Sequence, residues 1–329
     1  MTTAIAEAPA LTESLESLLP SVPSDEENWA KGQLVLPGGI FSETGSVHKV
    51  VCVRELTGAD EELLGDRRYR NGVDLATEFL VRAVQRVEGI GNAVTEDLVA
   101  GMLIGDRDYL ILRLRQMTMG DQVHQVLRCP NTVCGEKVDV EFLISDLPVR
   151  RTDDLQPRYN FELSCLAIPG DERSRRGVLR LPTGRDQSAI AELPDLNPGV
   201  ANTRLFSRVI LEIGGRAKID EVFVRSLPMK VRSEITEFLR SNSPGPDLTI
   251  DVQCPHCGSN VAYPFDLYNF FFDEWLLNLD RLYQDIHTLA FHYHWSEREI
   301  LAMTRAKRNR FLSLLVRQFE HSGNGGGSR

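Results

Sequence analysis

Two short cysteine patterns restrict this chain more than any other feature. The first reads Cys129-Pro-Asn-Thr-Val-Cys134-Gly and the second Cys254-Pro-His-Cys257-Gly. Each suits a tight turn between two strands that presents a pair of thiolates. Proline fixes the backbone on the way in, and glycine after the second cysteine accepts a conformation that a side chain would hinder. Backbone N–H groups in such turns point at the sulfurs and stabilise negative charge. Four thiolates satisfy the tetrahedral preference of one structural zinc ion per chain and leave no open position for water or substrate. The four-residue spacer of the first pair is within the range of zinc pairs. The distance between the pairs is unusual. A plain ribbon separates them by roughly 15–20 residues, whereas here the gap exceeds one hundred. The expected fold is therefore a discontinuous zinc ribbon, with an inserted segment whose two ends meet at the metal. Cys52 and Cys165 lie in apolar, strand-like runs and read as buried small hydrophobes.

The charge balance narrows the function classes. With 47 acidic and 37 basic side chains the net charge is −10, which argues against a dedicated nucleic-acid binder, because phosphate contacts need a positive surface. No apolar run approaches the roughly 18 residues that span a bilayer, and the N-terminus lacks the pattern of a signal peptide. The expected compartment is the cytoplasm, where thiols stay reduced and clustered cysteines favour metal over disulfides. A hydrophobic fraction of 42% is ordinary for a chain with a sizeable core.

Periodicity predicts an α+β fold with a mainly helical body. Residues 1–30 read as a disordered tail, with one short helix through Leu15 to Leu19. Residues 31–147 hold a hairpin (second strand Val47 to Glu55), a helical region and the first half of the ribbon. Val73, Ala76, Leu80, Ala83, Val84 and Val87 recur at helical spacing. Thr95 suits an N-cap, and Asp106 or Asp108 suits the cap of the next helix. Strands Gln122–Leu127 and Lys137–Phe142 flank the first cysteine pair. Residues 148–247 form an inserted α+β segment, with strands at Tyr159–Leu166 and Val178–Leu181 and helices near Gly184–Leu193, Gly199–Glu212 and Leu227–Leu239. Residues 248–321 contain strands Leu248–Val252 and Val261–Phe265 around the second pair, then helices Leu267–Leu289 and Ser296–Gln318. Ser296 and Glu299 fit a capping box. Residues 322–329 read as a Gly-rich flexible tail.

Other chemistry-bearing residues read as structural. His287, His292 and His294, beside Trp295, suit packing and capping around a helix connection, and His256 is a poorer ligand than Cys257. Asp106 and Asp108 suit helix capping better than acid–base chemistry. The last helix carries Arg298, Arg305, Lys307, Arg308, Arg310 and Arg317. Of these, Arg305, Lys307, Arg308 and Arg310 are candidates for docking an acidic protein partner, while Ile300, Met303, Phe311, Leu314, Leu315 and Phe319 face the core or a partner. A phosphate loop, a dinucleotide fingerprint and a nucleophile elbow are all missing from the sequence.

Several stretches look familiar together: Val53-Arg-Glu-Leu-Thr-Gly-Ala-Asp-Glu-Glu, Leu103-Ile-Gly-Asp-Arg-Asp-Tyr-Leu-Ile-Leu-Arg-Leu-Arg, the two cysteine turns, and Tyr293-His-Trp-Ser-Glu-Arg-Glu-Ile. As a set they resemble the T-even-type phage baseplate hub assembly chaperone family, which also occurs with phage-tail-like contractile injection systems. The resemblance covers most of residues 47–145 and 248–318, and the middle segment adds little to it. It implies a non-enzymatic assembly factor or baseplate-associated protein, with hub, spike or tube proteins of a contractile tail as partners and no small-molecule substrate or membrane. No catalytic residues carry over. The alternative from the residues alone is a zinc-ribbon nucleic-acid-binding regulator, suggested by the ribbon and the basic last helix.

Overall fold

In the computed structural model, residues 32–63, 71–91, 93–191 and 197–323 are described. The expected tail helix at Leu15–Leu19 lies outside these residues, as does most of the Gly-rich C-terminus. The chain opens on the expected hairpin. Strand β1 (Gln33–Phe41) runs antiparallel to β2 (Val47–Val53), pairing Gln33 with Cys52 and Phe41 with Val47 around an irregularity between Val35 and Ile40. Helices α1 (Gly58–Leu63) and α2 (Gly72–Ala83) follow, α2 being capped by the Asn71 side chain on the Asp74 N–H. Strand β3 (Val84–Val87) then pairs with β2 and completes the sheet β1-β2-β3. Val84 and Val87 were expected to continue the helix. They leave it because the free edge of β2 pairs their backbone and buries both branched side chains, which outweighs a helical spacing that two valines satisfy only locally.

Thr95 caps α3 (Glu96–Gly101) as expected, accepting from the Leu98 N–H. Helix α4 (Ile104–Met119) is buried along most of its circumference, Asp106, Arg107, Tyr109, Leu110, Ile111 and Leu114 included. A helix covered on all sides is a central core element. Hairpin β4 (Gln122–Arg128)–β5 (Lys137–Leu143) follows, and then β6 (Val149–Arg150).

The middle of the chain builds its own interior. Strands β7 (Tyr159–Glu162) and β8 (Arg176–Leu179) are followed by α5 (Gly184–Ile190), α6 (Pro198–Val209), β9 (Ile210–Ile213), α7 (Glu221–Ser226) and α8 (Met229–Asn242). The antiparallel sheet β7-β8-β9 packs with Phe206, Val209, Val224, Val231 and Ile235, and Phe41, Val47 and Leu103 meet this cluster from the first part of the chain. The helix expected to reach Glu212 stops at Val209, since Ile210 and Ile213 pair with β8.

The chain then returns through β10 (Gly245–Pro246), which pairs antiparallel with β6, Gly245 opposite Arg150. The two ends of the middle segment thus meet in this short pairing, whereas the sequence placed their meeting at the metal. A Cβ on Gly105 would overlap the Pro244 carbonyl, so glycine is required for α4 to start against this neck. Hairpin β11 (Thr249–Gln253)–β12 (Asn260–Pro264) follows, then α9 (Leu267–Tyr293), α10 (Glu297–Leu301) and α11 (Arg305–Gly323). Phe271 and Trp275 of α9 pack into the main core, Phe271 meeting Phe79 edge-to-face with centroids 5.3 Å apart. Further along, Leu282, Ile286 and Leu289 form a separate core with Ile300 and Leu315. The capping box of Ser296 and Glu299 is present, but the single helix expected over Ser296–Gln318 is broken, because Thr304 bridges to Thr57 in front of α1. Among the described residues, no helix is long and apolar enough to cross a membrane.

Candidate metal centre

Cys129 and Cys134 lie on the turn joining β4 to β5, and Cys254 and Cys257 on the turn joining β11 to β12. The two turns face each other. Cys129 Sγ is 3.7 Å from Cys257 Sγ, Cys134 Sγ is 3.9 Å from Cys254 Sγ, and all four sulfurs lie within 4.8 Å of one another. A tetrahedral metal bound at about 2.3 Å from each thiolate would set its ligand sulfurs about 3.8 Å apart. The cluster can therefore hold one metal ion with little movement.

The local sequence builds each turn as its spacing suggests. The Cys134 and Gly135 N–H groups both donate to Asn131 O (2.9 and 3.0 Å), and Cys129 N–H donates to Glu136 O. In the shorter turn Gly258 N–H donates to Cys254 O (2.8 Å) and Cys254 N–H to Ser259 O (3.0 Å). Gly135 and Gly258 sit at φ +61° and +71°, the left-handed region where glycine is unstrained. Polar contacts also cross between the turns. Asn131 Nδ2 reaches Ser259 Oγ at 3.4 Å, and the Tyr263 hydroxyl donates to Arg128 O. A ring nitrogen of His256 lies 3.2 Å from Lys137 O, so that side chain engages backbone beside the sulfurs.

The four thiols are unequal. Cys129 and Cys254 are buried, Cys134 is half-buried and Cys257 is exposed. Hydrogen bonds from the Ser259 side chain and backbone hold Cys257 down at about 6. At Cys129 the bond with the Asn131 backbone favours the thiolate, but burial and the neighbouring sulfurs outweigh it and push the thiol up to about 12. Thiolate is the form that binds metal, so Cys257 is ready at neutral pH while Cys129 gives up its proton as a metal enters. Beneath the sulfurs, Val138, Val140, Ile250 and Phe265 join the main core, and Phe142 meets Phe265 edge-to-face at 5.3 Å.

Asp106 and Asp108 do not cap their own helix. The cap position of α4 is Leu103, without a side-chain bond. Instead Asp106, wholly buried, accepts from the N–H groups of Gly38 (2.7 Å) and Gly39 (2.9 Å) on β1. Asp108 accepts from the Tyr268 hydroxyl at 2.8 Å on α9. Between them Arg107, also buried, donates to the carbonyls of Val73 and Val99 and to Thr77 Oγ1. Burial raises both carboxyls to about 7. The string Asp106-Arg107-Asp108 thus fastens α4 to β1, α2 and α9. The histidines act as expected of packing and capping groups. His287 stacks on Phe291, His292 meets Phe291 and Phe319 edge-on, and His294 closes α9 in the left-handed conformation at φ 55°.

The basic last helix needs a correction. Arg308, expected on a docking surface, is 1% exposed and paired with Glu61 of α1, with Asp285 Oδ2 4.0 Å from its Nε. Arg305 is half-buried and donates to Asn278 Oδ1 at 2.8 Å. Lys307, Arg310 and Arg317 remain exposed. The reason is periodicity: Arg308 shares the spacing of Phe311 and Leu315, the inward stripe of α11. That stripe was the available signal. Glu61 carried none, being an ordinary charged residue on a short helix.

Fold and site together define an α+β protein with a four-cysteine centre, able to hold one metal ion, at the joint between two distant hairpins. The family model described as T4 bacteriophage base plate protein matches residues 79–272. The chain belongs to that family, which ties it to the phage baseplate and to other tail or baseplate proteins. The match includes all four cysteines, and it runs through residues 148–247, the segment the sequence had left outside the resemblance. The stretches Val53–Glu62 and Tyr293–Ile300 fall outside it. No curated protein and no solved structure matches the chain.

Proposed function

We propose that this protein is a non-enzymatic assembly chaperone or baseplate-associated component serving the hub and spike region of a contractile phage tail or phage-tail-like injection system, and that it works in the cytoplasm. The base plate family match over residues 79–272 carries this reading. The conspicuous carboxylates support it, because Asp106 and Asp108 are engaged in holding elements together. The cysteine centre holds zinc in a closed structural ribbon: an all-thiolate set at these separations suits zinc, and four protein ligands leave no position for substrate. The partner-facing surface is the exposed side of α11, where Lys307, Arg310 and Arg317 accompany Leu314. Such a face fits an acidic surface with apolar residues on a hub, spike or tube protein. The nucleic-acid regulator reading is weaker, since Arg308 is engaged with Glu61.

Co-purification from cells producing the whole tail machinery tests the proposal. Hub, spike or tube proteins are expected to accompany the tagged chain, and normal sheathed particles from a strain lacking the protein would overturn it. Elemental analysis is expected to find about one zinc per chain.

A further inference from the structure

Four thiols in one cluster can also bond to each other, and these four do not stand equally to solvent. Cys257 is exposed, as are Pro255, His256 and Gly258 around it, while Cys129 and Cys254 are buried and Cys134 is half-buried. A small dissolved oxidant therefore meets the Cys257 sulfur first. Two polar side chains flank that sulfur: the Ser259 hydroxyl lies 3.4 Å from it, and Asn131 Nδ2 points a donor at it from 3.9 Å. Both can hydrogen-bond an oxygen placed on the sulfur.

A partner for an oxidised Cys257 is at hand. The sulfur of Cys129, a residue 4% exposed, stands 3.7 Å away on the opposite turn. A disulfide sets its sulfurs about 2.05 Å apart, so the two have to close by under about 2 Å. The other close pair, Cys134 and Cys254 at 3.9 Å, also runs from one turn to the other. Cys52 and Cys165 lie outside the cluster. The thiol that answers Cys257 therefore comes from within the four.

We propose that Cys257 is a site of reversible oxidation by hydroperoxides and that Cys129 resolves it, giving a disulfide that joins the two cysteine turns. The Cys257 thiolate attacks the peroxide, the O–O bond breaks, and the sulfur becomes a sulfenic acid as hydroxide leaves. The Cys129 thiolate then attacks that sulfur, the S–O bond breaks, and a second hydroxide leaves. The two sulfurs give up two electrons, the peroxide takes them, and two solvent protons turn the hydroxides into water. A metal held by four thiolates would keep only two, so oxidation releases it. The joint survives the loss, because the new bond ties β4–β5 to β11–β12 between residues 128 positions apart. The release rests on the reading of the cluster as a metal centre, and none of this depends on the baseplate role.

The full chain, loaded with zinc, is treated with stoichiometric hydrogen peroxide. Catalase stops the reaction, N-ethylmaleimide caps the free thiols, and the digested peptides are weighed. The expected product is a link from Cys129 to Cys257, formed in step with the zinc that a colorimetric chelator captures and undone by dithiothreitol. Dimedone, which traps sulfenic acids, is expected to mark Cys257 and to lower the yield of the link at least about fivefold. The oxidised chain is expected to melt above the reduced chain stripped by chelator. No link, a link within either turn, a dimedone mark on another cysteine, or zinc retained as Cys257 oxidises would overturn the inference. So would an oxidised chain that melts no higher than the stripped one. A chain that takes up no zinc would remove the metal centre, and the link formed by its bare thiols would then decide the pairing. Co-purification with baseplate proteins in any of these cases would leave the proposed function standing.

Discussion

Two joints hold distant parts of this chain together, and they work by opposite means. At the first, Cys134 meets Cys254 across 120 residues. At the second, Arg308 meets Glu61 across 247. The cysteine joint is four thiols close enough to share one metal ion, and a joint completed that way depends on protons and metal supply in solution. The ionic joint is supplied entirely by the chain. Both its charges are withdrawn from water, and Arg308 Nε is buried without a hydrogen-bond partner. Such pairs add little net stability, yet losing one member strands the other. A metal-completed joint is one that solution conditions can open, and the ionic joint is one that they barely touch.

The largest effect should separate them directly. Cys254→Ser is expected to abolish stoichiometric metal and cost at least about 5 kcal/mol, a melting shift of roughly 10–20 °C, and a strong chelator should reproduce this in the parent chain. An unchanged melting temperature with no metal by elemental analysis would remove the cysteine joint from the comparison. Next, Glu61→Ala should cost about 3–5 kcal/mol by stranding Arg308, whereas Glu61→Leu with Arg308→Met should recover most of that loss. A double variant as unstable as the single would show that the pair itself supplies the strength.

Acid should act on the cysteine turns and on the buried aspartates of α4 with opposite sign. The Cys257 thiolate is favoured in the fold, so its contribution is present above the ordinary thiol range and lost as pH falls through about 6. Metal release, followed with a colorimetric chelator, should rise below that pH. Asp106 and Asp108 are raised to about 7, so their contribution is full below the ordinary carboxylate range and lost as pH rises through about 7. Melting temperature should therefore decline between about pH 4 and 7 by a slope that Asp108→Asn makes shallower. The smallest effect belongs to the ionic side: Ser296→Ala removes the cap of α10 and should cost about 1 kcal/mol, leaving metal content untouched.

The same contrast governs what could be read in advance. Four cysteines in Cys-Pro and Cys-Gly turns were enough to predict that they gather in one cluster, and flanking strands come with them. The capping signals at Thr95 and Ser296 are equally local, and both hold. Arg308, Glu61, Asp106 and Asp108 belong to residue types that usually stay at the surface. Their burial is decided by elements far away in sequence, β1 and α9 for the aspartates and α1 for the arginine. Val84–Val87 and Ile210–Ile213 fail for a related reason. Their apolar spacing of three fits a helix turn and a short buried strand alike, and only the neighbouring β2 or β8 settles it. The extent of the middle segment's kinship was illegible for another cause, as its residues carry no rare chemistry.

Helix α9 has a mechanical consequence. Its 27 residues span about 40 Å, with Phe271 and Trp275 anchored in the main core and His294 at the far end. It is a lever arm. A rotation of about 5° at the anchored end, the scale of a helix adjusting in its packing, would swing the tip by roughly 3–4 Å. Anything gripping α10 and α11 would therefore hold the long end, and small repacking near Tyr268 and Asp108 would be felt there magnified.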